Sequence, residues 1–162
     1  MAEAKPTYQW RVTHYDPSLR DAMGGFQGDT WTAESDIGAT FDGAVLTRAE
    51  YERIEQLHIE AAAAFAEASG VSRLTLLRWS GDSPGAEREL DLEALRPTLR
   101  AVLREEVDGW IEDAVESRFC IYVGFDYYLY IGSDKPCIEA ITGTEESGLF
   151  VEPFPIPQLD GE

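Results

Sequence analysis

The feature that most narrows the fold is a change of hydrophobic period along the chain. Between residues 47 and 70 the apolar side chains recur at helical spacing, with Ile54, Leu57, Ala61, Ala64, Phe65 and Ala68 in one stripe. Thr47 and Glu50 stand where a capping box lets two side chains satisfy orphan amides reciprocally, and Gly70 supplies a left-handed stop. A helix over residues 48–69 follows. Outside it the period is two. Tyr8, Trp10, Val12 and His14 alternate with Gln9, Arg11 and Thr13, which predicts a half-buried strand over 7–15 that Asp16-Pro17 breaks.

The same reading places strands over 72–79, 110–115, 119–125, 127–133 and 149–152, with a tight turn over 124–127. Residues 80–89 read as a turn-rich loop. A second helix carries Leu92, Leu95, Leu99, Val102 and Leu103 to near Val107, and Pro97 is expected to split off its first turn. Residues 136–142 read as a short third helix, and Pro153, Pro155 and Pro157 as the end of regular structure. The predicted order is β-α-β-α-β-β-β-α-β. That order implies an α+β fold: a largely antiparallel sheet with two main helices packed on one face. A chain of 162 residues fits one domain over 1–162, since domains run to about 100–200 residues. Residues 16–43 form a long connection. Met23, Phe26, Trp31, Ile37 and Phe41 are its expected anchors to the body.

Charge narrows the function. Thirteen basic residues face thirty-one acidic ones, a net charge of −18. Such a field repels nucleic acid and anionic membranes, so neither is an expected partner. It favours a basic protein partner and speeds their encounter. Solubility alone also explains acidity in many bacterial proteins. The two cysteines, Cys120 in an apolar run and Cys137 after Pro136, are expected as free thiols of a reducing compartment. Residues 1–6 hold no apolar stretch, so no signal peptide is read and the cytoplasm is the expected location.

Catalytic signatures are missing from the sequence. There is no P-loop, no dinucleotide fingerprint, no nucleophile elbow, no calcium-loop spacing and no paired Cys or His at zinc spacing, so no cofactor and no metal are expected. His14 and His58 read as structural. Two stretches stand out. In residues 29–38, Trp31 lies among hydroxyls and acids, either as an aromatic anchor for a partner or as a lock for its own loop, with Ser35 or Asp36 capping a turn. In residues 123–133, strand parity puts Tyr127, Leu129 and Ile131 on one face and Tyr128 and Tyr130 on the other. Those two tyrosines either stand outward beside Asp126 and Asp134 or lie under a helix.

Both stretches resemble motifs, WTS-x-SDIG and F-G-Y-D-Y-Y-x-Y-I-G-S, of an uncharacterised family of small bacterial proteins. The likeness extends to Tyr15-Asp16-Pro17 and to residues 148–154, while Ala33-Glu34 departs from the small hydroxyl context after the tryptophan. The resemblance implies a bacterial, single-domain protein and no particular activity. Small acidic bacterial proteins of this build are often immunity proteins, an analogy of fold and charge. The leading expectation is therefore a non-catalytic acidic binding protein, an immunity protein or inhibitor of a basic partner. Its expected binding residues are Trp31, Asp36, Asp126, Tyr128 and Tyr130. The alternative is a small enzyme or ligand-binding domain with a pocket between the 16–43 connection and the tyrosine-rich strand, using Asp36, His14, Asp126 and Tyr128. Mimicry of nucleic acid by surface carboxylates is a third reading.

Overall fold

The computed structural model describes residues 5–78, 88–113 and 118–160. In chain order it contains β1 (Tyr8–Thr13), β2 (Thr40–Phe41), β3 (Ala44–Val45), α1 (Arg48–Ala68), β4 (Leu74–Leu77), β5 (Arg88–Leu90) and α2 (Leu92–Leu103). Then come β6 (Trp110–Asp113), β7 (Cys120–Val123), β8 (Leu129–Ser133), α3 (Ile138–Glu146), β9 (Phe150–Pro153) and α4 (Pro157–Asp160). Seven strands form one antiparallel sheet in the order β5-β4-β6-β7-β8-β1-β9. The α+β expectation holds. The predicted loop over 80–89 and the ends of the strands predicted over 72–79 and 110–115 fall partly outside the described residues. Among the described residues no helix is long and apolar enough to cross a membrane.

Register decides which face each strand buries. Trp10 pairs with Ile131 and Val12 with Leu129, so their side chains share one face with Ile121, Ile111, Leu74 and Leu76. That face meets α1, and α2 and α3 flank α1 to complete the layer. Burying one such aliphatic side chain contributes about 1.5–3 kcal/mol. Helix α1 starts where the sequence places it, because the Thr47 hydroxyl accepts from the Glu50 amide at 3.1 Å. Its buried stripe is displaced from the expected one. Tyr51, Glu55, His58, Ala62 and Phe65 face inward, while Ile54, Leu57 and Ala64 are only half-buried. A stripe that includes a glutamate and a histidine is invisible to a count of apolar residues.

Three further elements correct the sequence reading. Helix α2 runs unbroken through Pro97, and Asp91 caps its start by accepting the Ala94 amide at 2.8 Å. Strand β5 pairs with β4 at the sheet edge, where only Leu90 needs the core. The proline-rich tail also resumes structure: Pro157 opens α4, a first-turn position that suits its missing amide. In the 16–43 connection, Trp31 is buried and Ile37 and Phe41 pack against the core. Met23 is no anchor. It is exposed at the tip of a turn in which the Asp21 carboxylate gathers the amides of Met23 and Gly25.

The second face of the sheet is sealed by the tail. Ile156, fully buried, packs with Cys120, Tyr122 and Tyr130, and Phe154 and Leu159 flank it. The Ile156 amide donates to the Gln9 side-chain oxygen at 2.7 Å. Gly132 makes this approach possible, because a Cβ there would sit 2.8 Å from Pro6 and 3.2 Å from Ile156. Burial pushes the Cys120 thiol up to about 12, so it remains a protonated apolar filler. Ile156→Ala is expected to cost about 2–5 kcal/mol in urea unfolding. A loss well under 1 kcal/mol would mean that the tail does not seal this face.

Candidate functional site

Sequence-predicted site residues separate in the structure. Trp31 is buried, stacked on His14 at 4.2 Å and tilted against Tyr51 at 5.1 Å. It locks its own loop. Asp36 serves that loop too: its Oδ2 accepts the Thr32 amide at 2.8 Å and closes the turn Glu34–Asp36. Tyr130 is 8% exposed, covered by Phe154 and stacked on Tyr128 at 6.2 Å. Neither reading for the outward tyrosines fits Tyr130 fully: it is covered, but by Phe154 and Ile156 between β9 and α4 and not by a packed helix. Tyr128 is half-buried, with its hydroxyl taking a hydrogen bond from Arg20 at 3.0 Å. Asp126 alone of the five is exposed.

Tyr127 is buried as expected, but not through strand parity: it lies in the turn Phe125–Tyr127 ahead of β8, and there it joins a polar cluster that sequence reasoning missed. Glu55 on α1 is 1% exposed. Arg104, at the end of α2, grips it with Nε to Oε2 at 2.7 Å and Nη2 to Oε1 at 2.8 Å, a bidentate fork. Arg100 adds a third contact at 3.3 Å. The Tyr51 hydroxyl donates to Glu55 at 2.9 Å and lies 3.1 Å from the Tyr127 hydroxyl. Since Tyr51 gives its proton to the carboxylate, Tyr127 must donate to Tyr51. Burial first, then this bonding, holds the Tyr127 phenol far above its usual range; burial likewise raises Tyr51, although accepting from Tyr127 opposes the rise. The chain Tyr127–Tyr51–Glu55–Arg104 therefore ties α1, α2 and the turn after β7 together.

The two histidines flank the same cluster. Their ring centroids lie 5.8 Å apart, edge to face. His58 Nδ1 donates to the Ile54 carbonyl at 2.9 Å and His14 Nε2 to the Trp31 carbonyl at 3.0 Å, which leaves one bare, buried nitrogen on each ring. Burial drives His14 down to about 4 and His58 to about 3, against the raising effect of those carbonyls. Among the described residues no group of three or more His, Cys, Asp or Glu is arranged to hold a metal.

Around Tyr127 the surface opens into a cleft of about 660 Å³, within the ~300–1,000 Å³ typical of ligand sites. Its apolar lining comes from Val102, Leu103, Val107, Val123 and Tyr127. Glu105, Asp108 and Asp126 line it as well, and Thr32 and Ala33 bring the 16–43 connection to its edge. A pocket between that connection and the tyrosine-rich segment was the alternative expectation. Asp126 reaches it, whereas His14, Asp36 and Tyr128 are not among its described walls.

The turn that forms one wall is strained. Asp126 and Tyr127 are both left-handed, with φ of 59° and 64°, a rare conformation for a bulky residue. Two bonds hold it there: Tyr15 donates to the Asp126 carbonyl at 2.5 Å, and Tyr127 reaches Tyr51. The result thrusts Phe125 into solvent at 91% exposure. On the opposite wall Gly109 is required by closeness, because a Cβ would collide with the Leu77 carbonyl.

Acid should loosen this centre. Both histidines bind protons in the unfolded chain near 6.5 and in the fold only near 4 and 3, so stability is complete above pH 6.5 and falls as the pH drops towards those values. Each is expected to remove about 2 kcal/mol by pH 5. The pH dependence of the urea midpoint, compared with a His14→Phe/His58→Leu variant, checks this. Identical slopes in the two proteins would refute it. Comparison with protein-family models, with curated proteins and with solved structures finds nothing that matches this chain.

Proposed function

We propose that this chain is a non-catalytic acidic binding protein that covers a basic protein partner, as an immunity protein or an inhibitor does. The observation that carries this reading is where the arginines go. Arg11 and Arg20 meet Glu152, Arg48 meets Glu34, Arg53 meets Glu50, and Arg96 meets Glu60. Arg100 and Arg104 meet Glu55, and Arg118 meets Asp134. The chain's own carboxylates thus engage its scarce cations, and the surplus of −18 remains to face a partner. Surface charge of one sign contributes mainly to encounter rate and to the exclusion of wrong partners.

The aromatic component of the surface moves from where the sequence put it. Tyr130 lies under the tail and Tyr128 is half-covered, so the exposed ring beside Asp126 is Phe125. A second reading, a small-molecule site, is favoured by one observation, the cleft beside Tyr127.

Recovery of the tagged chain from its own cells, followed by kinetics on the purified pair, tests the proposal. The expected result is a stoichiometric complex with a protein of net positive charge. Its association rate should fall by about tenfold or more from low salt to about 0.5 M salt. A partner without positive charge, a salt-insensitive rate, or no stoichiometric partner would each count against it.

A further inference from the structure

We propose that the cleft at the C-terminal end of α2 seats a segment of the partner in which an arginine or lysine adjoins an apolar side chain. The inference rests on the binding-protein reading and names the place and chemistry of contact. Its floor, which includes Val102, Leu103, Val123 and Tyr127, calls for an apolar group. Its charged lining calls for a cation: Glu105, Asp108 and Asp126 line it, and no described lining residue is basic. Asp108 lies 3.9 Å from Arg78, but Glu105 and Asp126 have no cation within ion-pair distance among the described residues. The carbonyl end of the α2 dipole adds negative potential at the same place. Low-dielectric walls concentrate that field within the cleft.

Each simpler occupant leaves something unmatched. A purely apolar segment would strip water from Glu105 and Asp126 without replacing it. A bare cation would leave the apolar floor and Phe125 in water. An arginine next to an aliphatic or aromatic residue satisfies both, since its guanidinium also lies well over an aromatic face such as Phe125. Presentation favours binding as well. The turn carrying Phe125 and Asp126 is held in its left-handed form by Tyr15 and Tyr51, so little order has to be imposed when a partner arrives.

The test is a chemical-shift titration of the full chain, at low salt, with the peptide acetyl-Leu-Arg-Phe-Arg-Leu-amide. Its counterpart with citrulline in place of arginine and the small cation agmatine serve as comparisons. Shifts should concentrate in Val102–Gly109 and Val123–Leu129. Citrulline should weaken binding about tenfold or more, and so should Phe125→Ala and the pair Glu105→Gln/Asp126→Asn. Phe125 is exposed and asparagine tolerates the left-handed backbone, so these variants keep the fold. The pair Glu139→Gln/Glu145→Gln on α3 should change little. Shifts scattered over the acidic surface and indifferent to Phe125→Ala would overturn the cleft while leaving the basic-partner reading intact. Equal binding of the citrulline peptide, or agmatine binding as tightly as the peptide, would also overturn it. Absence of any binding at millimolar peptide would do the same.

Discussion

A single buried carboxylate governs the arrangement of this protein. Taking Glu55 out of water costs several kcal/mol, and that cost is offset only if opposite charge and hydrogen bonds meet it in good geometry. Arg104 supplies a fork, Arg100 a further contact and Tyr51 a proton. Exposed pairs such as Arg53–Glu50 contribute about 0–1 kcal/mol, whereas stripping one partner from a buried pair costs about 3–5 kcal/mol. The Glu55 cluster therefore decides how α1 and α2 lie together. Through Tyr51 it also decides where Tyr127 sits, and hence the shape of the turn that exposes Phe125.

The same cluster shapes the surface by what it removes from it. Arg104 lies within 3.8 Å of Glu34 and 3.7 Å of Glu52 besides gripping Glu55, so one cation stitches the long connection to both helices. Arg11, Arg20 and Arg104 are mostly buried, while Arg48, Arg53, Arg73 and Arg96 stay exposed, each paired with a carboxylate of the same chain. Beside the end of α2 the carboxylates Glu105 and Asp126 border an apolar hollow. Interior and exterior electrostatics are in this sense one arrangement.

Much of the architecture is legible in the sequence because it rests on local chemistry. The Thr47–Glu50 cap and the period-two run of β1 both depend on neighbours a few residues apart. Glu55 is illegible for the opposite reason. It sits among Glu50, Glu52 and Glu60 and reads as one more solvated acid, while the arginines that bury it lie 45 and 49 residues away. Its place three and four residues from His58 and Tyr51 is the faint signal that could have found it. The tyrosine face misleads similarly. Parity places Tyr130 on the second side of the sheet, but nothing local shows that Phe154 and Ile156 return to cover it. The cleft draws on segments between Thr32 and Gln158, so its shape is a product of tertiary folding.

The most direct test of this account is amide hydrogen exchange in Glu55→Gln. If the buried carboxylate positions the cleft, exchange should quicken together in α1, in Val102–Gly109 and in Phe125–Leu129. Faster exchange confined to α1 around residue 55, with both cleft walls unchanged, would contradict it.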